Sequence, residues 1–371
     1  MKISEVKTFA CRVPISNPLV TSFGKMIDRP ALILRIEDRD GNFGWGEVWC
    51  NWPPSGAEYK ANLINKTIAP RLLDQEFENA SQVFDILTDA FRILSIQTAE
   101  PGPFAHCIAG IDIALWDYQS RLSGLPVAQM IDTDASSKVA CYASGINLNE
   151  AQNMVEKARK AGFTRFKIKI GLDLDREIGI VREIYSDLLS HEKLMLDANQ
   201  GWNMEQARDA IKKFSFVDLL WLEEPIAADH PRSDWQSLGK IATFPIAAGE
   251  NLLGQDMFEN AVATKMFDVV QPDICKWGGF TGVITVARKT IKAGLRYCPH
   301  YLGGVVGLLA SAQILSGVGG DGILEIDVNE NPLVDEFLDK QACIQDGMFN
   351  VNMVPGLGFD VRAEILEQWL S

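Results

Sequence analysis

The spacing of apolar residues changes character along this chain, and each change predicts a different kind of element. Within residues 1–48, ALILRIED (31–38) and FGWGEV (43–48) read as strands on either side of Asp40-Gly41, a strong hairpin signal. Residues 57–130 carry helical spacing. The clearest helix follows Pro103, where Phe104, Ile108, Ile111, Leu115, Tyr118 and Leu122 recur at steps of three and four and make one apolar stripe. Gly124 and Pro126 supply the stop chemistry. His106, Asp112 and Asp117 sit on this helix and read as structural, because no ligand partner is spaced with them.

After a polar linker, Asp132 to Ser137, strands and helices alternate. VACYAS (139–144) leads to a helix opened by Asn147 with Glu150 three residues on, and Asn203 with Gln206 makes a second such pair. RFKIKI, KLMLD, DLLWLEE (218–224), PIAAGE (245–250), FDVVQPD (267–273), LRYCPH (295–300) and GILEID (322–327) follow at a steady interval. Eight strands separated by helices argue for an α/β fold with a parallel barrel of the (β/α)₈ type. A doubly wound open sheet is the alternative, but no Gly-x-Gly-x-x-Gly turn or P-loop supports it. Beyond Asn331 the alternation stops. The tail, with PGLGFD and an amphipathic segment from Val361 to Leu370, is expected to bury its apolar residues on the N-terminal region.

Composition narrows the partners. The chain has 371 residues, 47% of them hydrophobic, which suits one large domain and a smaller one. The net charge of −14 argues against nucleic acid or an anionic membrane. No apolar run is long enough for a membrane span, and the first residues lack a signal-peptide core. Seven scattered Cys without a Cys-x-x-Cys read as free thiols in a reducing cytoplasm. Two irregular loops are expected, Ser16 to Pro30 and Trp49 to Gly56. They carry Phe23, Lys25, Met26, Trp49 and Trp52, which either pack between domains or form a lid over a substrate cavity.

The polar residues fall at one place in the repeat. In a barrel of this type the active site lies at the C-terminal strand ends. Nearly every strand here ends in an ionisable or metal-capable residue: Lys167 and Lys169, Asp197 and Asn199, Glu223, Glu250, Asp273, His300 and Glu325. Successive members keep step with the strands, which a random scatter of surface charge would not do. Lys167 and Lys169 share a strand face. Asp197, Glu223 and Glu250, from three neighbouring strands, are hard oxygen donors that suit Mg²⁺ or Mn²⁺ rather than zinc. Strand alternation is expected to send Glu224 away from that site. Asp273 stands at the position matching His300 one strand earlier, where a bond between them would orient the imidazole and raise its basicity.

KIKIG, LMLDANQGW, WLEEP, AAGEN, QPDICKWGG and the His300 strand, together with GIDIALWD and PGLGFD, resemble the mandelate racemase subgroup of the enolase superfamily. The resemblance implies an α+β capping domain (1–131), a modified (β/α)₇β barrel (132–330) and a C-terminal segment (331–371) packed back on the cap. It implies one Mg²⁺ on Asp197, Glu223 and Glu250, and Lys169 as the base on one substrate face. His300, paired with Asp273, would serve the other face. Lys167 would touch the substrate carboxylate and lower the pKa of Lys169. Glu325 would bond the carboxylate or enolate oxygen. Asn199, Lys25, Trp52 and Tyr301 are the candidate substrate contacts. The expected partner is a small carboxylic acid, and a cytoplasmic homo-oligomer, dimer to octamer, is expected by analogy.

The chemistry implied is removal of a proton α to a carboxylate, which builds two negative charges on one small group unless cations offset them. Enolase-superfamily sites are a worked case of a Lys or His base used with Mg²⁺. Dehydration of a hydroxy or sugar acid to a 2-keto acid is the favoured outcome, and racemisation or epimerisation the alternative. Two rivals come from other classes: a metal-free Schiff-base lyase on Lys169, with phosphate in the turns at Gly278-Gly279, Gly303-Gly304 or Gly319-Gly320, and a non-catalytic sugar-acid binding protein.

Overall fold

The fold is a computed structural model, describing residues 1–21 and 24–371. Three antiparallel strands open it: β1 (Ile3–Thr21), β2 (Gly24–Asp38) and β3 (Phe43–Val48), paired in that order. The expected loop between Ser16 and Pro30 is instead the outer half of a long hairpin, with Leu19 opposite Met26 and a register shift between Pro14 and Leu19. The sequence hid it because Pro14 and Pro18 cannot donate to the ladder and break the alternation. Phe23 lies outside the described residues. Helix Pro101–Ser123 packs on this sheet, and helix Ala80–Gln97 packs on that helix. Gly124 ends the second in the left-handed region, φ 71°.

Eight parallel strands follow. They are β4 (Lys138–Asn147), β5 (Arg165–Lys169), β6 (Lys193–Asp197), β7 (Leu219–Glu223), β8 (Ile246–Ala248), β9 (Val269–Val270), β10 (Arg296–Tyr297) and β11 (Ile323–Asp327). Seven helices of 8 to 14 residues separate them. Each strand from β4 to β10 pairs with the next, and β11 returns to pair with β4. No ladder joins β10 to β11 among the described residues. The inside is nonetheless packed as a barrel interior is. Tyr142, Met195, Trp221, Ala247, Val269, Cys298 and Ile323 form one buried cluster, a residue from each strand or from the position just after it except β5, which supplies the fully buried Lys167 at the same height.

Local signals explain several boundaries. Asn203 and Gln206 make a full capping box at helix Met204–Lys213. Asn147 does not: its side chain caps a short 3₁₀ turn at Asn149, and the α-helix begins at Ala151. The tail adds β12 (Ile344–Gln345) and β13 (Met348–Asn350), the latter antiparallel to β4. The chain then returns to β1, where Arg12 N–H bonds Trp369 O at 2.9 Å and Ser371 N–H bonds Ala10 O at 3.0 Å. Only Ala363–Glu367 of the expected terminal helix is helical.

Candidate active site

The strand register builds the site. Lys169 on β5 is directly opposite Asp197 on β6, and Asp197 opposite Glu223 on β7. Side chains alternate along a strand, so Lys167 and Lys169 both point inward while Ile168 packs outward in the main core. One layer above the apolar plug, cations and carboxylates therefore face each other.

They pair closely. The Lys167 ammonium donates to Glu223 Oε1 at 2.5 Å and reaches Glu325 Oε1 at 2.7 Å and Asp197 Oδ2 at 3.6 Å. Lys169 donates to Asp197 Oδ2 at 2.6 Å. Burial opposes the charge on both lysines, but Glu223 and Glu325 outweigh it at Lys167, and Asp197 does so at Lys169. Both pKa values lie above the ordinary lysine value. Lys167 does push the Lys169 pKa down, as expected, but Asp197 in contact exerts the stronger field and the net shift is upward.

On the other side, Asp273 Oδ2 lies 2.8 Å from His300 Nδ1, and Nε2 lies 3.4 Å from Glu250 Oε2 and 3.9 Å from Glu325 Oε2. Burial disfavours the imidazolium, yet Glu250, Glu325 and Asp273 raise its pKa to about 9. Ser144 Oγ donates to Glu325 Oε1 at 2.5 Å, and the Tyr301 backbone N–H donates to its other oxygen at 3.0 Å.

Glu224 departs from expectation. It lines the cavity beside Glu250, while Glu223 is occupied by Lys167, by Gln271 Nε2 at 2.8 Å and by Trp221 Nε1 at 2.9 Å. Strand β7 ends at Glu223, and Glu224 has φ +40°, so alternation no longer governs where it points. Asn251 Nδ2 binds Glu224 Oε1 at 2.8 Å; Glu224 Oε2 is buried with no partner. Burial, then repulsion from Glu250 and Asp197, raise its pKa well above the carboxylate range.

Lys276 is the residue that sequence reasoning passed over. Its ammonium pairs with Glu250, donates to Asn251 Oδ1 at 3.1 Å and lies 4.6 Å from the Trp49 ring centroid. Its place three residues beyond Asp273, one turn past a strand end, was the available signal. The turn is closed by Asp273 Oδ1, which accepts from the Cys275 and Lys276 backbone N–H groups.

Lys169, Asn199, Glu224, Glu250, Lys276, His300 and Glu325 line one cavity of about 610 Å³. Cap residues, among them Leu19, Met26, Trp49 and Trp52, roof it, so the aromatic loop does wall the cavity. Asn199 holds Asp197 Oδ1 through its backbone N–H at 2.8 Å. Lys25 and Tyr301 are corrected. Lys25 is exposed and outside the lining, because strand alternation turns its buried neighbour Met26 inward instead. The Tyr301 hydroxyl is buried away from the cavity, donating at 2.6 Å to Gly304 O and lying 2.8 Å from Glu47 Oε1.

The donor set suits a divalent cation by its chemistry. Asp197, Glu223, Glu224 and Glu250 stand on adjacent strand ends, one of their oxygens lacks any partner, and two of them, Glu223 and Glu224, are pushed toward protonation by burial and then by like charge. Among the described residues, no three His, Cys, Asp or Glu side chains gather around a single point. Three of the four carboxylates are each paired with a lysine: Asp197 with Lys169, Glu223 with Lys167, Glu250 with Lys276.

A parallel barrel carrying a ring of carboxylates, lysines and a His–Asp pair at its strand ends, under an α+β cap, defines an enzyme of the enolase type. Residues 3–132 match the mandelate racemase / muconate lactonizing enzyme N-terminal domain and residues 150–365 the enolase C-terminal domain-like family, and the chain belongs to this family, in the mandelate racemase subgroup. Similar over nearly all of both chains is a mandelate racemase/muconate lactonizing enzyme structure from Bordetella bronchiseptica RB50, 39% identical, covering 99% of each chain, TM-score 0.93. A racemase from Streptomyces coelicolor A3(2), solved with bound magnesium, is 23% identical with a TM-score of 0.89, covering 100% of each chain. The L-talarate/galactarate dehydratase of Salmonella typhimurium (strain LT2) is 29% identical, covering 99% of this chain and 91% of its own. Other relatives are named cycloisomerases and epimerases. No helix is long and apolar enough to cross a membrane among the described residues.

Proposed function

We propose that this enzyme is a Mg²⁺-dependent dehydratase of a small hydroxy carboxylic acid, acting through removal of the α-proton. The observation that carries the reading is that Lys169 and His300 line the same cavity together with Glu250 and Glu325. Asp197, Glu223 and Glu250 are the proposed ligands, with Glu224 beside them; Mn²⁺ is an alternative ion. The ion, when bound, supplies positive charge at the substrate carboxylate as the enediolate develops.

The chain's own groups do the rest. Lys169, once freed of its proton and of Asp197, takes the α-proton at Nζ. Lys167, fully buried below the cavity lining and held by two carboxylates, does not reach the substrate; it keeps its charge and acts on the developing anion through its field. His300 carries a proton at Nε2 in the ligand-free state, with Asp273 fixing the ring through Nδ1. In a 2,3-dihydroxy acid, transfer of that proton to the β-hydroxyl releases water as the C–O bond breaks, and the enol that remains, carrying the α-hydroxyl, tautomerises to a 2-keto acid. The apolar wall made by Leu19, Met26, Trp52, Pro53 and Pro54 of the cap with Leu302 of the barrel favours a substrate with an apolar portion over a long polyol.

Racemisation or epimerisation is the second reading, supported by the same two groups: if the β-carbon has no leaving group, His300 returns its proton to the α-carbon from the other face. Screening hydroxy acids and sugar acids for a 2-keto product separates the two. A 2-keto product supports dehydration; inversion at the α-carbon without it supports the second reading.

A further inference from the structure

Glu47, Trp49 and Asn51 are two apart along one stretch of the cap, at and just beyond the end of β3. Each takes hold of a loop on the histidine side of the barrel. Glu47 is 2% exposed, its carboxylate accepts from Gly304 N–H at 2.5 Å and Gly307 N–H at 2.9 Å, and its Oε1 lies 2.8 Å from the Tyr301 hydroxyl. The Gly307 N–H belongs to the first turn of helix Val305–Val318, where a carboxylate suits unpaired N–H groups. The Trp49 backbone N–H bonds Cys275 O at 3.2 Å, and its ring stacks against Lys276. Asn51 Nδ2 bonds Leu302 O at 2.6 Å. The lysine side is held differently, by a helix of the barrel itself and not by the cap: Glu177 Oε1, on helix Leu174–Asp187, accepts from the N–H groups of Gly171, Leu172 and Asp173 at 2.7 to 3.0 Å.

We propose that this cap stretch is a clamp that positions His300, with Glu47 as the positioning residue. It acts through Tyr301, which is adjacent to His300 and is bound at both ends: the hydroxyl to Glu47 and the backbone N–H to Glu325. Docking of the cap thus aligns the acid/base on one face of the substrate, while the barrel alone places Lys169 on the other. The meaning of the clamp rests on the reading of His300 as an acid/base; its test does not, because it observes the ring and its loop rather than turnover.

The chain has four histidines, so the ring resonances of the Mg²⁺-supplemented, ¹⁵N-histidine-labelled full chain can be assigned from single His variants. Glu47→Gln keeps one acceptor oxygen but turns an amide toward one of the two backbone N–H donors. It is expected to shift and broaden the His300 ring signals alone, and to raise backbone amide exchange over 301–307 roughly tenfold or more with 165–173 unchanged. Asp117→Asn is the comparison. Asp117 is also a buried cap carboxylate, bound to the Trp45 and Leu357 N–H groups, and its loss should leave the His300 signals in place. The clamp is overturned if folded Glu47→Gln shows wild-type His300 signals and exchange, or if Asp117→Asn disturbs His300 equally. Should Glu47→Gln fail to fold, Asn51→Ala is measured the same way: a smaller change confined to 301–304 supports the clamp, and no change overturns it.

Discussion

Lys169 carries the largest demand of any single residue. It is charged and tied to Asp197 in the ligand-free chain, yet it must be neutral to accept a proton. Its partner across the cavity is set the other way, since His300 is held protonated by three carboxylates. Lys169→Ala and His300→Asn should each lower turnover by about 10²–10⁴-fold, the usual scale for general acid–base groups; steady-state rates on the substrate found by screening check this. Glu224 makes a separate claim. A buried carboxylate oxygen without a partner costs about 1–3 kcal/mol. Glu224→Gln should therefore raise the melting temperature of the protein in EDTA, because the amide is neutral beside Glu250 and Asp197 and can donate. A lowered melting temperature would show that the carboxylate is better satisfied than its contacts indicate.

At the scale of elements, the barrel strands were legible and the cap was only partly so. KLMLD and FGWGEV match β6 and β3 residue for residue, because a short, largely apolar run bounded by polar and turn residues marks a strand buried on both faces. The strand-end residues were legible for a related reason: one shared site forces a polar residue at the same phase of every repeat. Glu224 was not, since a left-handed backbone at a strand end breaks the rule that sequence reasoning relies on. Nor was the contact between β3 and helix Pro101–Ser123. A Cβ on Gly46 would lie 2.0 Å from Gly110 O, so strand and helix touch backbone to backbone. Gly46→Ala should cost more than the ~1–3 kcal/mol usual for overpacking, seen as a lower denaturation midpoint. The same helix carries Asp112, which holds Thr281 N–H at 3.0 Å and Thr281 Oγ1 at 2.6 Å, at the start of helix Gly279–Lys292. Burial raises its pKa from 3.8 to about 7. The folded chain therefore holds a proton that the unfolded chain has lost between those values. The stability this contributes is full below the unfolded value and is lost as the pH rises through about 7. Chemical denaturation between pH 5 and 8 should show a decline in the wild type that Asp112→Asn flattens.

The whole molecule sets a charge of −14 against a cavity whose lining cations, Lys169, Lys276 and His300, and the Lys167 buried beneath them, are each engaged by carboxylates. An anionic substrate enters against the outer field, so the site must offer a concentrated local attraction. The cap supplies the apolar roof and the barrel the charged floor, an arrangement the sequence could announce only as a list of aromatic residues in one region and polar strand ends in another. Which lid residues face the cavity depended on the phase of a hairpin that two prolines obscured. The central claim is that a divalent ion on the β6–β8 carboxylates makes an α-carbanion tolerable between Lys169 and His300. It is tested most directly by following α-proton exchange of hydroxy acids in D₂O, with Mg²⁺ and then with EDTA. Deuterium at the α-carbon that depends on Mg²⁺ and disappears in EDTA is the predicted result; turnover that continues undiminished in EDTA, or product formed with the α-proton retained, would contradict it.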